Sequence, residues 1–174
     1  MFTLRCTQKL LCRGLTDAGG TGRTPTTVLG DWYAHVLVTR PHHLVLCVSE
    51  RTLLPVVVLA KAADRLPSRL VESLVPVLQR VGVEDAAVQY ELAEMGACSV
   101  GRTASRSVVG SMNEVLFFLQ ISLDRHPQYS LLEHAMYLAR IPLKGCEGNY
   151  PDRATIALFQ SAALLGRVRD ASAL

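Results

Sequence analysis

Apolar positions follow two regimes along the chain. Up to residue 59 they stand in short, nearly continuous blocks, and beyond residue 63 they recur every three or four positions. Trp32–Thr39 and Leu44–Val48 are rich in β-branched and aromatic residues and flank the turn Arg40-Pro-His-His43. That pattern predicts an antiparallel hairpin. Leu53–Leu59 supplies a third strand. Pro55 lacks an amide hydrogen, which puts it near a strand end or on an edge. Phe2–Cys6 reads as a short strand leading into a helical turn through Lys9, Leu10, Leu11 and Gly14. The later strands are apolar on both faces, so helices must cover both sides of the sheet.

Those helices follow. Asp64–Val81 carries a stripe at Leu70, Val71, Leu74, Val75, Leu78 and Val81, with Pro67 in its first turn and Gly82 as its stop. Pro76 lies inside it and should kink or split it. Glu84–Met95 is a second helix that ends at Gly96, and Ala97–Arg102 a short strand. A very apolar helix then runs through Leu123, burying Val108, Met112, Val115, Leu116, Leu119 and Leu123. Its start is open between Ser105 or Ser107 as cap and a later cap at Ser111 with Glu114 closing a capping box. Ser130-Leu-Leu-Glu133 opens a helix that stops at Ile141-Pro142, and Pro151-Asp152 opens a last one through Leu165. The Gly/Thr-rich stretch 16–27 reads as a flexible loop and 167–174 as a frayed tail. The GGTG within that loop lacks the preceding strand and the GK[ST] of a phosphate loop. Strands come first and helices later, without βαβ alternation or repeats. The expectation is one α+β domain over residues 1–174: a small, mostly antiparallel sheet covered by about five helices.

Composition narrows the class further. A chain of 174 residues with 49% hydrophobic and 19% charged side chains and net charge +3 is not a disordered tail. The apolar excess calls for a large core or a face kept for a second copy or protein partner. The longest apolar runs, Leu53–Ala60 and Val115–Leu119, are far shorter than the roughly 20 residues a spanning helix needs, so no membrane partner is expected. The N-terminal segment has no apolar stretch of the secretory type. Five cysteines without CxxC spacing then read as free thiols in a reducing, cytoplasmic setting, with no metal and no cofactor. His42-His43 is a solvated turn.

Charge is uneven: residues 1–61 hold seven basic and three acidic side chains, and residues 62–96 three and six. The basic members gather near predicted strand ends. Between the last strand and the most apolar helix stands Gly101-Arg-Thr-Ala-Ser-Arg-Ser-Val-Val-Gly-Ser-Met-Asn-Glu114. A helix N-terminus flanked by arginines favours an anion. Arg5, Lys9, Arg51, Arg102, Arg106 and Ser107 are therefore candidate anion-binding residues, with Ser111, Asn113 and Glu114 organising the loop. The plainer alternative is that these hydroxyls only cap the helix. The leading expectation is a small cytoplasmic binding or accessory protein, more a binder than an enzyme, whose partner is nucleic acid or a phosphorylated ligand. Alternatives are an enzyme on a phosphorylated or nucleotide-like molecule with Glu114 as acid/base, and a purely structural partner module. No GxSxG, HExxH or dinucleotide fingerprint occurs, and His134 reads as a packing or surface residue.

The segments Met1-Phe-Thr-Leu-Arg-Cys-Thr-Gln-Lys-Leu-Leu11, Leu29-Gly-Asp-Trp-Tyr33, Leu44–Pro55 and Gly101–Glu114 together resemble a bacterial family known as a domain of unknown function. The resemblance extends to Pro151-Asp-Arg-Ala-Thr155 and so covers nearly the whole chain. It implies no activity, substrate or cofactor. Asp17–Thr24 is longer than that family's usual connection, and Pro76 is atypical for it.

Overall fold

The computed structural model describes residues 1–15, 24–146, 148–164 and 166; the GGTG segment and the tail 167–174 lie outside the described residues. Five strands, β1 (Phe2–Cys6), β2 (Trp32–Leu37), β3 (Leu44–Ser49), β4 (Pro55–Leu59) and β5 (Cys98–Arg102), form one sheet in the order β4-β3-β2-β1-β5. The helices are α1 (Gln8–Leu11), α2 (Leu66–Val81), α3 (Asp85–Glu94), α4 (Arg106–Arg125), α5 (Leu131–Ala139) and α6 (Pro151–Leu164). A 3-10 turn at Ala63–Arg65 leads into α2.

The fold is a single α+β domain, but its sheet is mixed, which corrects the mostly antiparallel expectation. β2–β3 and β3–β4 are antiparallel, whereas β1 runs parallel to both β2 and β5. The antiparallel pairs join through short turns, and a parallel pair needs a connection of a dozen residues or more. The segments between β1 and β2 and between β4 and β5 meet that length, so β1 can lie between two parallel neighbours. The chain leaves β1 toward β2 on one side and later crosses back to add β5 on the other.

Both faces of the sheet are covered. Leu4 and Trp32 are register partners on one face, and Tyr33, Val48 and Pro55 lie in register on the other; all are buried. Each large side chain removed from water contributes roughly 1.5–3 kcal/mol. Pro55 satisfies both of its options at once, since it opens β4 and β4 is an edge. Pro76 does not split α2, which runs unbroken from Leu66 to Val81. A helix-interior proline costs about 3 kcal/mol, and burial of Leu70 and Leu74 before it and Val77 and Leu78 after it outweighs that. Gly82 ends α2 with φ 98°, a conformation glycine adopts without strain. The start of α4 is settled by Ser105, whose side chain accepts from the Val108 amide at 3.3 Å, so Gly110 lies inside the helix. The capping box at Ser130 and Glu133 is present in full. Among the described residues no helix is long and apolar enough to cross a membrane.

Candidate functional site

The predicted basic residues fall into two groups, one engaged inside the fold around residues 27–31 and one beyond the carboxyl ends of β1 and β5. At the amino end of β2, Asp31 holds Arg5, the fourth residue of β1: the Arg5 Nε and Nη2 stand 2.8 and 2.7 Å from its Oδ2. Asp31 is buried, and its Oδ1 accepts from the Thr3 amide at 2.8 Å. Arg51 donates from Nη1 to the Val28 carbonyl at 3.1 Å, and its amide bonds the Leu29 carbonyl. Glu91 reaches the same segment from α3 and accepts the Val28 and Leu29 amides at 2.6 and 3.1 Å. It is fully buried, and burial pushes its carboxyl up to about 7 although both amide bonds oppose that rise. Gly30 turns there with φ 80°, and an added Cβ would lie 3.2 Å from side-chain atoms of Arg51 and Glu50. Arg5 and Arg51 therefore both hold residues 27–31 in place, Arg5 from a nearly buried side chain and Arg51 from an exposed one. Paired charges of this kind hold a loop that has no ladder of its own.

The carboxyl ends of β1 and β5 lie side by side, with Cys6 and Arg102 in register. Thr7 follows β1 directly as the N-cap of α1, which carries Lys9. Three residues beyond Arg102, Ser105 caps α4, and its amide donates to the Tyr33 hydroxyl at 3.1 Å. That bond ties the head of a long helix to the sheet. Arg106 and Ser107 are the exposed first residues of α4, and their amides find no acceptor among the described residues. Thr7 bonds the Ala34 carbonyl through its amide, which sets it beside His35. Thr7 Oγ1 and His35 Nδ1 are sealed from solvent and have no hydrogen-bond partner among the described residues. Burial first, and the charge of Lys9 second, hold His35 below the ordinary imidazole range. Lys9, Arg102, Arg106 and Ser107 thus share one end of the sheet, where two buried polar atoms want a partner.

The loop-organising residues behave differently. Asn113 and Glu114 are exposed on α4, and Glu114 takes no part in capping. Ser111 packs instead against Gly145, where an added Cβ would come within 2.4 Å of Ser111 Oγ. His134 is buried, with Nδ1 2.7 Å from Ser122 Oγ, as a packed residue should be. Cys6, Cys47 and Cys146 are buried thiols and Cys12 and Cys98 exposed ones.

A family model described as Domain of unknown function (DUF6933) matches residues 3–154. The chain belongs to the DUF6933 family. The matched region runs from β1 into the first turn of α6, so it embraces the whole DUF6933 sheet and both of its ends. No curated protein matches the chain.

Proposed function

We propose that this DUF6933 chain is a small binding protein that takes a phosphate or phosphoryl-bearing ligand at the carboxyl ends of β1 and β5. The observation that supports the reading is the exposed N-terminus of α4, where Arg106 and Ser107 open a 20-residue helix at the sheet end that also carries Lys9. The site lies where the winding of the parallel strands reverses, and ligands of open sheets bind outside carboxyl ends at such a point. The Arg106 and Ser107 amides and the helix dipole favour an anion, and Lys9 and Arg106 add charge. Glu114 is exposed on the helix surface, which gives a catalytic reading no support.

Inorganic phosphate is the first probe. Titration followed by amide NMR should saturate at Thr7, Arg106 and Ser107, and binding should weaken as salt rises. Arg106→Ala and Lys9→Ala should each cost about tenfold, the worth of one charge-assisted hydrogen bond. Arg153→Ala, a distant exposed arginine, should change nothing. Absence of saturable shifts at low ionic strength overturns the reading. A short oligonucleotide bound at the same residues with a steep salt dependence would extend it to nucleic acid.

A further inference from the structure

We propose that the groove at the opposite end of α4 is a second ligand site, for a small monocarboxylate carrying an apolar chain. The groove lies between the β2–β3 turn and the α4–α5 junction and encloses about 710 Å³, the size of a small-molecule pocket. Leu44 and Leu59, register partners on β3 and β4, make its floor together with Leu123 and Leu131. Leu59, Leu123 and Leu131 stay only half-buried, so an aliphatic chain laid on them would leave water.

The polar groups define the head group. His134 lines the groove and has already engaged Nδ1 with Ser122, which leaves Nε2 as its remaining hydrogen-bonding atom. Burial, and then the charge of His126, keep this imidazole below its ordinary range, while Glu133 pulls weakly the other way. His126 is stacked on Tyr129 at 4.5 Å between ring centres, and Tyr129 stands 5.6 Å from His134, so packed rings form this wall. Arg40 stands at the rim, exposed and without an ion pair among the described residues. A carboxylate can meet Arg40 and His134 while its chain covers the leucines. Asp124 also lines the groove and repels additional negative charge, which selects a monoanion over a dianionic phosphate. The Ser122–His134 pair is no nucleophile: Ser122 is fully buried behind the imidazole, out of a ligand's reach.

The test uses the full chain and octanoate as probe, with octan-1-ol as the uncharged control. Octanoate should bind saturably, shift the His134 ring signals and raise the His134 titration midpoint, because a nearby carboxylate favours imidazolium. Octan-1-ol should bind at least about tenfold more weakly, and Arg40→Gln should weaken octanoate by about the same factor. Leu59→Trp, on an edge strand with room on its groove side, should abolish binding while leaving the circular dichroism unchanged. Equal binding of alcohol and acid, unchanged binding in Leu59→Trp, or saturation without a response at His134 each overturns the proposal. So does the absence of saturable binding.

Discussion

Replacing Glu91 by glutamine should remove a pH dependence of stability that the folded chain otherwise carries. The carboxyl is fully buried, and its pKa rises from 4.5 in a solvated state to about 7 in the fold. Between those values the native chain holds a proton that the unfolded chain has released. The stability due to that proton is fully present below the unfolded value and is lost as pH rises through the folded one. The difference between the two values corresponds to about 3 kcal/mol. Glutamine is neutral throughout and keeps one carbonyl oxygen for the Val28 or Leu29 amide. Glu91→Gln should therefore match the wild type near pH 4.5 and exceed it by about 3 kcal/mol near pH 8. Urea unfolding at constant ionic strength, in half-unit steps, reads the difference directly, because every other titration cancels between the two chains. A difference that stays flat across this range would refute the reasoning. One that grows in the opposite direction would mean that the two amide bonds outweigh desolvation.

Other perturbations probe the same loop and the thiols. Asp31→Ala strands the Arg5 guanidinium, whose side chain is only 12% exposed, and should cost about 3 kcal/mol in denaturant unfolding. Gly30→Ala adds a Cβ at φ 80° within 3.2 Å of Arg51 and Glu50, and should cost roughly 1–3 kcal/mol and lower Tm. Ser105→Ala removes the α4 cap at about 1 kcal/mol, seen as faster amide exchange at Val108. With a thiol reagent on the native chain, the exposed Cys12 should react well ahead of the buried Cys6, whose thiol burial pushes up to about 12.

What could be read in advance was local. The hairpins β2–β3 and β3–β4, the Ser130 capping box and the stop at Gly82 each depend on residues a few positions apart. The partners of β1 lie on segments far along the chain, and no periodicity records them. Arg5 looked like an open cation for the same reason, since Asp31 is a strand neighbour and not a sequence neighbour. Glu91 did leave a trace. Val88, Glu91 and Met95 share the spacing of one helix face, and all three are buried, while Leu92 is only half-buried. An acid on that stripe marks a buried carboxylate more than a solvated surface. Thr7 and His35 left none, because what distinguishes them is the lack of a hydrogen-bond partner among the described residues.

A sheet whose first strand runs parallel to both of its neighbours, one early and one late in the chain, also sets an order of events during folding. The β2–β3–β4 meander can form as soon as residues 32–59 are available, through contacts short in sequence. β1 is made earlier but stays open along one side until residues 98–102 arrive to pair with it. Until then its apolar side chains and unpaired edge are exposed together, which is the hazardous stage for strand mispairing. Long-range closure of this kind slows folding relative to a helical chain of equal length. The first strand to be made is thus among the last to be completed, and a ribosome stalled before residue 98 would hold the chain in its most aggregation-prone form.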